Sequence, residues 1–168
     1  PCRCADPWHS RINSRTSLMN KDRLREELAE DEGCKFEIYL DHLGLPTFGI
    51  GHLVVEDDPE HGQPVGTPVD NERVRQVFAL DIASTLDECH VLYPDFDDLP
   101  EEAQLIIANM MFNMGRPRLS KFKDMKAAVD ARSWNAAADA MVDSRWYDQV
   151  TNRAKRLVAR MRSLADQA

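Results

Sequence analysis

A chain of 168 residues, 43% of them hydrophobic, is long enough to bury about two-thirds of its unfolded surface in one domain that can divide into two lobes. That composition excludes a disordered chain, and no apolar run approaches the roughly 18 residues of a membrane-spanning helix. The best run, Leu105 to Phe112, is broken by Asn109, and the net charge of −8 argues against nucleic acid as a partner.

Residues 1–18 have no helical or strand period and no apolar core of a secretion signal. They are expected to be a non-native or upstream tail, poorly ordered and outside the fold. Cys2 and Cys4 lack the neighbouring ligands of a metal site, and His9 reads as a surface residue. Met19 to Glu32 forms a short helix with Leu24 and Leu28 inward and Gly33 as its stop. Lys35 to Leu40 then opens with polar and bulky residues in alternation, as in a half-buried strand. Asp41-His42-Leu43-Gly44 supplies a turn, Pro46 closes it, and Thr47 to Gly51 returns as a second strand. Residues 54–70, with three prolines, two glycines and several acids, are a loop ending at Asp70, which caps the next helix.

Asp70 to Leu92 is the longest helical stretch, with Val74, Val77, Phe78, Ile82 and Cys89 apolar. Asp81 shares that face and needs a partner, because a buried unpaired carboxylate is costly. Asp98 and Glu101 make a capping box for a helix carrying Ala103, Ile106, Ile107 and Met110. Ser133 is placed to cap a helix from Trp134, and Thr151 to cap the last, whose stripe is Ala154, Leu157, Val158, Met161 and Leu164. Trp134 and Trp146 read as packing anchors. Cys34 and Cys89 show no paired framework and are expected to be free buried thiols. No parallel-sheet alternation, internal repeat or phosphate-binding glycine loop occurs, and no metal or other cofactor is implied.

Glu32 ends a helix and Asp41 sits on a hairpin nine residues on, with Thr47 six further. Glycosidic cleavage needs one carboxylic acid to protonate the leaving oxygen and a second carboxylate on the opposite face. Two rigid elements meeting at a corner can hold such a pair across a cleft. Solvent-facing acids are the plainer reading, since Glu26, Glu27, Glu30 and Asp31 surround Glu32.

Asp31-Glu32-Gly33, Ile38-Tyr39, Asp41, Gly44, Thr47 and Gly49-Ile50-Gly51-His52 together resemble the opening pattern of the lysozymes of T-even bacteriophages. Asn109 to Gly115 resembles the end of that family's central helix. Ser144-Arg145-Trp146-Tyr147, Gln149 and Asn152 to Arg156 resemble its C-terminal signature. The three blocks cover the chain from about Met19 onward. The resemblance implies an α+β, mainly helical fold in residues 19–168. A small antiparallel hairpin or sheet lobe, about 33–70, would be joined by a long helix to a helical lobe of 71–168 plus 19–32.

The resemblance further implies an inverting muramidase that cuts the β-1,4 bond between N-acetylmuramic acid and N-acetylglucosamine in bacterial peptidoglycan. Glu32 would be the general acid, while Asp41 and Thr47 position water. Arg153 would orient Glu32, and His52 would pair with Asp81 structurally. Gly51, Leu53, Phe112 and Asn113 match cleft-lining positions, with Asn113 in place of a glutamine. Met125 and Ala140 stand where the family has a serine and an asparagine, and the 54–70 loop is shorter than the family's. A monomer with no membrane insertion is expected, held in the host cytoplasm until release to the wall. The body from Met19 carries 18 basic and 28 acidic residues, a net of −10, whereas the family's best-known members are strongly basic. Attraction to an anionic wall is therefore expected to be weak, with activity best at moderate to high salt. A catalytically silent wall-binding module, a helical interaction protein and a lytic transglycosylase are the competing readings.

Overall fold

The computed structural model describes residues 19–167; the tail reading and the Cys2, Cys4 and His9 assignments fall outside the described residues. Helix α1 (Lys21–Glu32) begins at Asn20, whose side chain accepts from the Asp22 and Arg23 amides at 3.1 and 3.0 Å. It ends at Gly33, which sits at φ 70° and donates its N–H to the Ala29 carbonyl. A glycine takes this left-handed conformation at little cost, so the chain turns at once into strand β1 (Lys35–Leu40). Glu32 is thereby fixed at the corner between helix and sheet. Leu24 and Leu28 are fully buried, each contributing roughly 1.5–3 kcal/mol of hydrophobic stabilisation.

β1 pairs antiparallel with β2 (Pro46–Gly49), which pairs antiparallel with β3 (His52–Leu53). The sequence reads Thr47 to Gly51 as one strand, but it stops at Gly49. Gly49 and Gly51 both take positive φ, folding the chain back so that Phe48 faces His52 and Thr47 faces Leu53. A Cβ on Gly49 would lie 3.0 Å from Val74, so this turn presses against the following helix. The loop 54–70 returns along the outer edge of β1. There Ile38 donates to Thr67, Gly66 to Ile38 and Val69 to Phe36, which satisfies backbone groups an open edge would expose.

Helix α2 (Asn71–Leu92) is capped by Asp70, whose carboxylate accepts from the Arg73 amide at 2.8 Å. Its first turns, at Val74 and Val77, pack with Ile38, Phe48 and Val69 in a small core. Phe78, Ile82, Leu86 and Cys89, further along, join the large helical core. One continuous helix thus has its two ends in two cores, and the arrangement is the lysozyme-like α+β fold expected from the resemblance.

The large core gathers α3 (Glu101–Met114), α4 (Arg116–Leu119), α5 (Lys123–Asp130), α6 (Trp134–Val142), α7 (Arg145–Gln149) and α8 (Thr151–Ser163). Trp134 and Trp146 are buried as expected. Three helix starts differ from the sequence reading. Asp98 lies in a 3-10 turn, Phe96–Asp98, and Pro100 occupies the cap position of α3, so no Asp98–Glu101 capping box forms. Ser133 occupies the cap position of α6, yet its hydroxyl makes no capping bond. Val150 precedes α8, and Thr151 is its first residue, donating its hydroxyl to the Asp148 carbonyl. Cys34 is exposed rather than buried, because Gly33 swings the chain outward; Cys89 is buried.

Four charged residues lock α1 to α3 and α8. Arg23 binds Glu102 at 2.7 Å and Arg160 binds Glu27 at 2.8 Å, while Arg160 also meets Glu102. This network sets the end of α1, and Glu32 with it, against α8.

Candidate active site

Glu32 lies on the wall of an open cleft of about 1300 Å³ between the β1–β2 hairpin and the helical lobe. Its Oε1 accepts from Arg153 Nη1 at 2.6 Å. Arg153 is nearly buried, and the rest of its guanidinium is spoken for. Nε donates to Asn109 Oδ1 at 2.7 Å and Nη2 to the Asn109 carbonyl at 3.1 Å. Asn109, fully buried on α3, donates its amide to Asp31 at 3.0 Å, and Asp31 accepts both bonds from Arg156 Nη2 at 2.7 Å. A fork held at three points cannot swing, so the salt bridge fixes one oxygen of Glu32. The other, Oε2, points toward Gly51, where an added Cβ would stand 3.5 Å away.

Asp41 heads the hairpin turn. Its Oδ1 accepts from the Leu43 and Leu45 amides at 2.8 and 2.9 Å, while its own N–H reaches the Leu45 carbonyl. The Leu45 amide bond, with help from Leu43 and nearby His42, holds the Asp41 carboxyl below the ordinary aspartate range. Thr47 is buried and donates its hydroxyl to the Leu45 carbonyl at 3.0 Å. Both side chains are therefore braced on the peptide of Leu45. Tyr39 faces Thr47 across the β1–β2 ladder. Burial, then the negative fields of Glu32 and Asp41, raise the Tyr39 phenol.

The remaining sequence-named residues divide. Asn113 and Arg153 line the cleft with Glu32. Asn113 is not a free amide, however, because its Oδ1 accepts the Trp146 indole N–H at 2.8 Å. Phe112 packs edge-on against Phe78 at the rim of the large core, with ring centroids 6.0 Å apart. Leu53 is exposed on β3, and Gly51 forms the turn beside Glu32. On the hairpin side the cleft wall is His42 and Leu43, neighbours of Asp41. Met125 is fully buried, and with Ala140 it borders a small separate hollow.

His52 and Asp81 meet at 2.8 Å through Nδ1, the pairing drawn from the resemblance. The other ring nitrogen, Nε2, faces Asp58 at 2.9 Å. Burial pulls the His52 pKa down, but the hydrogen bonds to Asp81 and Asp58 outweigh it and leave it raised. Asp58 also accepts from the Val55 amide and Arg73, and Arg73 bridges on to Glu60. The cluster pins the 54–70 loop to α2.

The phage lysozyme family model matches residues 29–163. The chain belongs to the phage lysozyme family. Within it, this chain is 28% identical over 152 residues to the pre-baseplate central spike protein Gp5 of Enterobacteria phage T4, covering 80% of this chain and 26% of that protein. It is 26% identical over 155 residues to the probable T4-type lysozyme 2 of Dictyostelium discoideum, covering 81% of this chain and 91% of that protein. It is 31% identical over 137 residues to the peptidoglycan hydrolase gp36 of Pseudomonas phage phiKMV, covering 82% of this chain and 15% of that protein. The chain thus spans about a quarter of the spike protein and a smaller part of gp36.

In this family member, the residues that sequence reasoning missed are those whose roles depend on a partner brought from far along the chain. Asp31, read as one of a run of surface acids, has a nearly buried side chain and ties α1 to α8. Tyr39 and Asn109 belong to the quoted motifs but carried no role. Asp58 lies in an acid-rich loop with no periodic signal to mark it.

Proposed function

We propose that this chain is a peptidoglycan-cleaving muramidase that inverts configuration at the β-1,4 bond between N-acetylmuramic acid and N-acetylglucosamine. The observation that carries the proposal is Glu32, held by Arg153 through one oxygen on the wall of an open cleft, with its other oxygen unengaged among the described residues. In this reading Glu32 is the general acid, giving a proton to the bridging oxygen as the bond to the anomeric carbon breaks. Such a donor contributes on the order of a hundred- to ten-thousand-fold in rate.

Asp41 acts as the second carboxylate. Its lowered pKa keeps it ionised, where it can orient a water and offset the positive charge developing on the sugar. Thr47 still has acceptor capacity on its hydroxyl oxygen and can receive a hydrogen bond from that water. The water oxygen attacks the anomeric carbon from the face opposite the leaving group, and its proton passes to Asp41. Inversion calls for carboxyl groups roughly 6.5–9.5 Å apart, leaving room for water between them.

The test is digestion of purified bacterial walls by wild type, Glu32→Gln and Asp41→Asn, with chemical analysis of the ends. New reducing ends from wild type, and a loss of at least about a hundred-fold in Glu32→Gln, are expected. Anhydro ends would instead indicate a lytic transglycosylase, and wall binding without cleavage a silent module.

A further inference from the structure

The chain as a whole is acidic, with a net charge of −8, yet one wall of its cleft is basic. Arg118 lies in the last turn of α4, Lys121 follows the helix, and Arg145 opens α7; all three are exposed and line the cleft with Glu32. The other two bases on the wall, Arg153 and Arg156, are committed to Glu32 and Asp31. Among the described residues, Arg118, Lys121 and Arg145 form no ion pair. Asp124 and Asp143 share a separate hollow with Lys121 but do not bridge to it. The edge-on contact of Phe122 with Trp146, centroids 6.3 Å apart, joins the two elements. Lys121 and Arg145, each one residue before a ring of that pair, are carried to the same mouth. Glu30, exposed and outside the ion pairs of the described residues, lines the same cleft, so three bases face one acid there, and their mutual repulsion is a cost that an incoming anion would relieve.

We infer that this wall binds the free carboxylates of the stem peptides on peptidoglycan, so that the cleft selects walls whose stem carboxyls are not amidated. The inference rests on the muramidase reading. A stem peptide hangs from the lactyl group of the muramic acid residue at the scissile bond, so a glycan seated at Glu32 brings those carboxylates beside it. An arginine fork matches a carboxylate, and a lysine adds charge without fixing its orientation.

The test uses the whole chain and three forms of one wall preparation: peptide-bearing glycan, the same glycan freed of peptides by an amidase, and glycan with its stem carboxyls chemically amidated. All three are first stripped of phosphate-containing polymers, and an unstripped sample is kept alongside. Rim charges are each worth roughly a two- to five-fold change, so Arg118→Gln/Lys121→Gln is expected to reduce the preference for peptide-bearing over peptide-free glycan by about ten-fold. The change is expected in KM rather than kcat, and amidation of the wall is expected to reduce the wild-type preference in the same way. Arg145→Gln is the independent second variant and is expected to shift it in the same direction. An unchanged preference in both variants, indifference to amidation, or a preference that disappears with the stripped phosphate would each overturn the inference. Co-sedimentation of Glu32→Gln protein with the three polymers reads the same selectivity without cleavage. Selective sedimentation with no turnover by wild type would keep the inference and sink the muramidase reading.

Discussion

Asp58→Ala is expected to destabilise the protein more than Asp81→Ala, although Asp81 is the partner that the resemblance singles out. Asp58 has a side chain 12% exposed and accepts from three donors: His52 Nε2, the Val55 amide and Arg73 Nη2. Asp81 is 28% exposed and accepts from His52 Nδ1. A hydrogen bond to a charged group is worth about 1.5–3 kcal/mol, less where water reaches it, so the losses are about 2–4 kcal/mol for Asp58→Ala and about 1 kcal/mol for Asp81→Ala. For a domain of this size those figures correspond to roughly 5–15 °C and about 2–4 °C in Tm.

The pH dependence has a definite sign. His52 is raised in the folded state, so its contribution is whole below the unfolded value near 6.5 and is lost as pH rises through the folded value. Burial alone would raise the Asp58 pKa, but its bonds to Val55, His52 and Arg73 lower it overall. Its contribution is present above the unfolded value of 3.8 and is lost as pH falls through the folded one. The clamp is therefore complete from about pH 4 to about pH 6.5. Thermal unfolding at pH 5.5 and pH 9 is the assay, run in a His90→Asn background because His90 is raised by Asp97 against its own burial. The gap between parent and Asp58→Ala is expected to narrow at pH 9 without closing, since the Val55 and Arg73 bonds persist. Equal losses for the two variants, the reverse order, or a gap unaffected by pH would refute the reasoning.

Arg153→Lys keeps the charge but cannot bond Glu32, the Asn109 side chain and the Asn109 carbonyl together. It is expected to cost roughly 2–4 kcal/mol in urea unfolding and to lower kcat in wall digestion. Gly51→Ala places a Cβ at φ 70°, costing about 1–2 kcal/mol, and sets it 3.5 Å from Glu32 Oε2. Wall lysis, assayed well below the unfolding temperature, is expected to fall further than that strain accounts for. The rate of lysis is expected to rise from about 0.01 M to about 0.15 M salt, as screening shortens repulsion between the acidic chain and an anionic wall. A rate that falls steadily with added salt would contradict this.

Much of the frame was legible because its signals are local. Gly33 after a helical run, Asp70 before another, and the spacing of Val74, Val77, Phe78 and Ile82 each specify their element without knowledge of the rest. The third strand was hidden because it is two residues long and depends on two positive-φ glycines rather than on a hydrophobic period. Helix α3 begins after Pro100 because proline, which has no N–H and a preset φ, defines the entry that Asp98 would otherwise compete for. Asn113 reads as an amide free for sugar, and only the folded chain brings the Trp146 indole to it. Among the site residues, Glu32 was marked by the Asp31-Glu32-Gly33 motif of the resemblance, since by its position at a helix end alone it reads as one more surface acid. The fork that holds it joins residues of α1, α3 and α8, which no spacing rule connects.

The central claim is that Glu32 donates a proton while a water placed by Asp41 and Thr47 attacks from the opposite face. Time-resolved proton NMR of soluble peptidoglycan fragments, read before the anomers equilibrate, tests it most directly. The account expects the α-anomer of the new reducing end to accumulate first; early accumulation of the β-anomer would contradict it.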